Sequence, residues 1–176
     1  MNRAVFFDRD GVLNKVVVKD NKPYPPADVK ALKINMELIP LCADLRKKGF
    51  LLICVTNQPD FARGKCSLEN ISEINKKISE AFHLDDLLVC LHDNKDNCDC
   101  RKPKPGMLVE SAKKHDIDLK SSYMVGDRKG DIAAGLAAGC ETIFIDYGYD
   151  EPKPDNPDIT VKTPKEAVEY ILDSKI

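Results

Sequence analysis

Two acids flank an arginine where Asp8-Arg9-Asp10-Gly11 follows the apolar run Ala4-Val5-Phe6-Phe7. Charge at the tip of a buried strand is costly unless something there needs it. Three more polar clusters follow apolar runs: Thr56-Asn57-Gln58, Arg101-Lys102, and Asp127-Arg128 with Asp131. Acids, a hydroxyl, amides and cations gathered in one place make a site for a phosphoryl group. Carboxylates that converge raise one another's pKa. The usual remedy is a hard cation with oxygen ligands, and Mg²⁺ suits a site of carboxylates, water and phosphate. Asp8 ends its strand and is rigidly placed, so it is the candidate nucleophile, forming an aspartyl-phosphate. Asp10 is the candidate general acid and base. Gly11 lets the chain turn so that both acids face one substrate. Thr56 and Lys102 supply a hydroxyl and a cation for the phosphoryl oxygens, and Lys102 offsets the repulsion between carboxylate and phosphate.

A second cluster has metal-ligand character. Cys90-x-His92 is followed, five residues on, by Cys98-x-Cys100. Three thiolates and an imidazole suit tetrahedral Zn²⁺ in a closed, structural site. Cys100 is followed at once by Arg101 and Lys102. A metal closing the 90–100 loop would pin both cations where the phosphoryl group needs them. The competing reading is a surface loop of reduced cysteines with a solvated histidine. Cys42, Cys54 and Cys140 lie in apolar stretches and read as core. His83 and His115 stand near helix ends and read as solvated.

Strand-like and helix-like runs alternate to position these groups. Strands are predicted at 4–7, 50–56, 87–92, 122–125 and 141–146. Helices are predicted at 37–48, 68–82, 105–116 and 130–138, and a last one after the capping-box pattern Thr163-Pro164-Lys165-Glu166. The alternation predicts a single α/β domain over 1–176. Its fold would be a Rossmann-like, doubly wound parallel sheet in three α/β/α layers. Chemistry in such sheets sits beyond the carboxyl ends of the strands, where all four polar clusters fall. Residues 15–34 read as irregular, with Pro23, Pro25 and Pro26, and as a flap that includes Tyr24.

Composition narrows the partners. The chain has 176 residues, a formal net charge of −2 and no apolar run near the ~20 residues of a membrane span. No basic field invites nucleic acid or an anionic membrane. The first apolar run is too short for a signal peptide, so a cytoplasmic protein is expected, and seven cysteines, an odd number, argue against a disulfide framework in such a chain. A small phosphorylated substrate and a monomer are the expectation.

The order DRDGVLN, TNQ, RKP, GDRKGD resembles the four motifs of the haloacid dehalogenase superfamily of phosphatases, over nearly the whole chain. The resemblance implies Mg²⁺ on Asp8, the backbone carbonyl of Asp10, and Asp127, with Asp131 behind them. It implies Asp8 and Asp10 in the catalytic roles given above. The run C-x-H…C-x-C-R-K-P resembles minimal-cap members acting on a heptose bisphosphate or on histidinol phosphate. "RKPKPGML" and "TNQPDFARG" favour the sugar bisphosphate, and histidinol phosphate is the alternative. Arg63 and Arg101 are candidate ligands for the second phosphate or the sugar hydroxyls. Asn57, Gln58 and Arg128 are the further candidate substrate contacts. Two readings from other classes compete: a phospho-receiver switch, and a zinc-organised interaction module in which the acids are incidental.

Overall fold

The computed structural model describes residues 1–174. Its main sheet has six strands: β1 (Arg3–Phe7), β4 (Phe50–Asn57), β5 (Asp86–Cys90), β6 (Tyr123–Gly126), β7 (Glu141–Ile145) and β8 (Ile159–Val161). They lie in the order β5-β4-β1-β6-β7-β8, and every pairing is parallel. The chain builds outward from β1 on one side, then returns to build on the other. The winding therefore reverses beside β1, and an open α/β sheet places its crevice at that point.

Alternation along β1 divides the core in two. Val5 and Phe7 point to one face with α1 (Leu38–Lys47), α2 (Leu68–Phe82) and α5 (Pro164–Asp173). Ala4 and Phe6 point to the other with α3 (Gly106–His115) and α4 (Lys129–Ala138). Both faces of a parallel sheet are then covered, so its strands read as continuous apolar runs. In α2, Ile71, Ile74, Ile78 and Phe82 recur at helical spacing and are all buried. Ser67 caps that helix by accepting from the Asn70 amide at 3.1 Å.

Several local expectations change. Residues 15–34 are not wholly irregular: β2 (Val17–Lys19) and β3 (Lys22–Tyr24) form an antiparallel hairpin. Its turn residues Asp20 and Asn21 both have positive φ, as a two-residue type I′ hairpin turn demands. The strand expected over 87–92 ends at Cys90, which frees His92 from the sheet. Thr163 caps α5 through the Glu166 amide, but the Glu166 carboxylate accepts from the Lys162 amide, so the reciprocal half of the box shifts one residue. His115 is not simply solvated. Its Nε2 lies 2.7 Å from Asp86 Oδ2, and that carboxylate also takes Lys114 at 2.9 Å. No helix among the described residues is long and apolar enough to cross a membrane.

Candidate active site

Asp8 leaves the end of β1 with its amide bonded to the Val125 carbonyl of β6 at 2.9 Å. The backbone that carries it is therefore still part of the sheet. Its Oδ1 accepts from Lys102 Nζ at 2.7 Å. The same ammonium lies 2.7 Å from Asp131 Oδ1 and donates to the Val55 carbonyl at 2.7 Å. All three donors of this buried lysine are thus engaged. Asn57 fixes the lysine's backbone from both sides: its Nδ2 donates to the Lys102 carbonyl, and its Oδ1 accepts from the Lys102 amide.

Asp127 completes the group. Oxygens of Asp8, Asp127 and Asp131 all lie within 4.8 Å of one another. Asp127 is 3 % exposed, and among the described residues neither of its carboxylate oxygens has a partner at hydrogen-bond geometry. Buried polar atoms are rarely left unpaired, and each exception needs an explanation. Gly11 shows how tightly this space is shaped. It has φ +93°, and a Cβ there would stand 2.0 Å from Asp127 Oδ2. Three acids against one lysine, with two orphaned oxygens, fit a divalent cation.

The electrostatics agree. Burial, then the charge of Asp131, push Asp8 up to about 6 against the pull of Lys102. Burial and the neighbouring Asp8 and Asp131 push Asp127 well above the usual carboxylate range. Burial works against the charge on Lys102, yet Asp131 and Asp8 outweigh it and raise its pKa.

Asp10 faces the same cleft as Asp8, a space of about 590 Å³ that Tyr24, Gln58, Arg101, Lys102 and Asp127 also line. Three side chains hold its carboxylate, which stays partly exposed to the cleft. The Arg9 guanidinium sits on both oxygens, with Nη2 2.9 Å from Oδ2. Asn14 Nδ2 donates to Oδ1 at 3.0 Å, and Gln58 Nε2 to Oδ2 at 2.8 Å. Gln58 also donates to Thr56 Oγ1 at 2.9 Å. With that lone pair occupied, the Thr56 hydroxyl keeps its own proton to donate to another acceptor.

The remaining candidates reach the cleft with partners of their own. Arg63 makes a two-pronged pair with Asp93, at 2.9 and 2.7 Å. Arg128 pairs with Glu151 at 2.5 Å. Arg101 Nε donates to Asn94 Oδ1 and its Nη1 to the His92 carbonyl, and among the described residues no carboxylate forms an ion pair with it. Sequence reasoning gave no role to Arg9, Asn75, Asp93 or Glu151. Arg9 stood inside the first motif, whereas Asp93 and Glu151 became visible only once the loops were placed.

The cysteine cluster closes as its spacing predicts. Cys90, Cys98 and Cys100 sulfurs stand 3.2–3.6 Å apart, and His92 Nδ1 lies 3.3 Å from Cys100 and 3.5 Å from Cys90. A tetrahedron of 2.3 Å zinc–sulfur bonds has edges of about 3.8 Å, so the four groups suit that ion.

Comparison with known proteins shows the family. The D-glycero-beta-D-manno-heptose-1,7-bisphosphate 7-phosphatase of Pasteurella multocida is 33% identical over 190 residues, covering 99% of this chain and 93% of that protein. The Helicobacter pylori enzyme of the same name is 32% identical over 145 residues, covering 78% of this chain and 79% of its own. The chain belongs to the haloacid dehalogenase-like phosphatases. A HAD-hydrolase-like family model matches residues 99–174. Among solved structures, D,D-heptose 1,7-bisphosphate phosphatase from B. bronchiseptica, complexed with magnesium and phosphate, superposes with a TM-score of 0.78. It is 25% identical, and the match covers 97% of this chain and 98% of that one. Membership makes the protein a phosphatase, which sets aside the phospho-receiver and interaction-module readings.

Proposed function

We propose that the protein removes the 7-phosphate of D-glycero-β-D-manno-heptose 1,7-bisphosphate through an aspartyl-phosphate on Asp8. The observation that carries this reading is the buried Asp8–Lys102 pair at 2.7 Å beside the unpartnered Asp127 carboxylate. The named relatives support the β-heptose substrate over histidinol phosphate.

In the first step an Asp8 carboxylate oxygen attacks the phosphorus, and the bond from phosphorus to the sugar oxygen breaks. Asp10 gives its proton to that leaving oxygen. In the second step water attacks the phosphorus, Asp10 takes its proton, and the bond to Asp8 breaks to release phosphate. Lys102 and the Thr56 hydroxyl hold the phosphoryl oxygens. Asp8, the Asp10 carbonyl and Asp127 would hold Mg²⁺, which neutralises negative charge where nucleophile and phosphate meet. Asp131 stands behind. One of its oxygens pairs with Lys102, and the other accepts from the Arg128 amide.

Phosphate release with Mg²⁺ tests the substrate. The β-heptose bisphosphate is expected to exceed its α anomer, histidinol phosphate and fructose 1,6-bisphosphate by tenfold or more in kcat/KM. A tenfold preference for histidinol phosphate would overturn the substrate assignment and leave the mechanism standing.

Zn²⁺ on Cys90, His92, Cys98 and Cys100 is part of the same reading, as a structural ion. The loop it closes supplies Asp93 to Arg63, and Asn94 and the His92 carbonyl to Arg101. The zinc loop would thus set the two arginines that face the far end of the substrate. Cys100→Ala is expected to lower the thermal midpoint by ~5 °C or more. It should reduce activity and leave Mg²⁺ affinity unchanged. Wild-type behaviour in both stability and activity would remove zinc from the account.

A further inference from the structure

The carboxylate of Asp10 is aimed by a chain of contacts that begins outside the cleft. Asn75 lies on α2, next to the buried Ile74, and is itself half-buried. It does not line the cleft. Its Oδ1 accepts from Arg9 Nη1 at 2.8 Å. Arg9 is 1 % exposed, among the most deeply buried side chains of the protein. The rest of its guanidinium lies on Asp10, with Nε 3.3 Å from both oxygens and Nη2 3.2 and 2.9 Å from them. A planar fork gripping a carboxylate fixes the plane of that carboxylate. Asn75 in turn fixes the fork, because its acceptor fills the one guanidinium nitrogen that Asp10 does not use.

We propose that Asn75 is a positioning residue for the phosphatase reaction: through Arg9 it sets the direction in which Asp10 presents its carboxyl to the leaving oxygen. The inference rests on Asp10 being the general acid proposed above. A loose Arg9 leaves Asp10 in the cleft but spreads its orientations, and proton transfer requires a position within hydrogen-bond reach of the leaving atom. Substrate binding does not change, because Lys102, Thr56 and the arginines are untouched.

The test compares two phosphomonoesters on the full-length protein with Mg²⁺. One is a sugar phosphate that the wild type hydrolyses, whose alkoxide leaving group needs a proton. The other is para-nitrophenyl phosphate, whose phenolate leaves without one. Asn75→Ala is expected to lower kcat/KM about tenfold for the sugar phosphate, less than the ~100-fold that a 1 Å misplacement costs. It should lower it less than threefold for the aryl phosphate, with KM for the sugar phosphate within twofold of wild type. Asn75→Asp keeps an oxygen acceptor at the same reach and is expected to restore the sugar-phosphate rate to within about threefold of wild type. Three results would overturn the proposal: a wild-type rate in Asn75→Ala, equal losses on both substrates, or equal impairment of the Ala and Asp variants. An Asn75→Ala protein that failed to fold would assign the residue to stability and overturn it as well. An Asp10→Asn protein that kept wild-type activity on the sugar phosphate would refute the general-acid reading beneath it, which is a different outcome from an enzyme that needs Asp10 and is indifferent to Asn75.

Discussion

Asp8→Asn is expected to lower phosphate release at least ~10⁴-fold, the scale on which enzymes lose rate when a covalent nucleophile is removed. An amide oxygen in the same place keeps the hydrogen bond from Lys102 but cannot form the phosphoryl ester. Phosphate release with Mg²⁺ measures the loss, and intact-protein mass spectrometry should find no phosphorylated enzyme. More than a hundredth of wild-type activity would refute the covalent route. The same substitution is expected to stabilise the metal-free protein at neutral pH. Burial and Asp131 raise the folded-state pKa of Asp8 from 3.8 to about 6. The folded state therefore binds that proton more tightly than the unfolded chain, and stability falls as pH rises through the window from about 4 to about 6. Asparagine carries no such proton. In a chelating buffer the thermal midpoint of Asp8→Asn should match wild type near pH 4 and exceed it by pH 8. A gap that closes with rising pH would contradict the arrangement.

Lys102→Met is expected to damage both stability and rate. The ammonium joins Asp8 and Asp131, each at 2.7 Å, in a place where the lysine is almost wholly buried. Breaking a buried pair from one side costs ~3–5 kcal/mol, because the partner charge is left uncompensated. Here two carboxylates lose their partner, beside a third that has none. The metal-free variant should unfold roughly 10 °C below wild type, given the ~2–4 °C per kcal/mol typical of a domain this size. Mg²⁺ should recover part of that loss by supplying positive charge to the same acids. Activity should fall ~10²–10³-fold even at saturating Mg²⁺, as when a single oxyanion donor is removed. Thermal unfolding with and without Mg²⁺, together with phosphate release, measures both effects. A variant as stable as wild type that keeps a tenth of its rate would refute this role for Lys102.

The sheet and its polar clusters were legible because parallel strands covered on both faces are written as unbroken apolar runs. Phe50–Val55 and Ile143–Ile145 stand out for that reason, and the polar groups that follow such runs are conspicuous. The α2 span was readable to the residue from Ser67 and the spacing of its isoleucines. The hairpin at Val17–Tyr24 was hidden. Its strands are three residues each and mostly exposed, so no buried face imposes an alternating pattern. The partners of Arg63, Arg128 and Arg9 were hidden for a different reason. Asp93, Glu151 and Asn75 lie 30, 23 and 66 positions away, and a lone polar residue carries no spacing to read. The polar groups that line the cleft were far more legible than the groups that hold them still.

The strand that carries Asp8 precedes every other strand of its sheet in the chain, yet it finishes in the middle of that sheet, paired with Phe50–Cys54 on one side and Tyr123–Val125 on the other. A ribosome adding ~5–20 residues per second needs on the order of ten seconds to make the stretch that separates the first strand from its second neighbour. Throughout that interval four consecutive hydrophobic residues travel with at least one hydrogen-bonding edge bare. The nascent polypeptide is therefore most prone to aggregate before Tyr123–Val125 exists, and holding chaperones should engage it at the waiting strand.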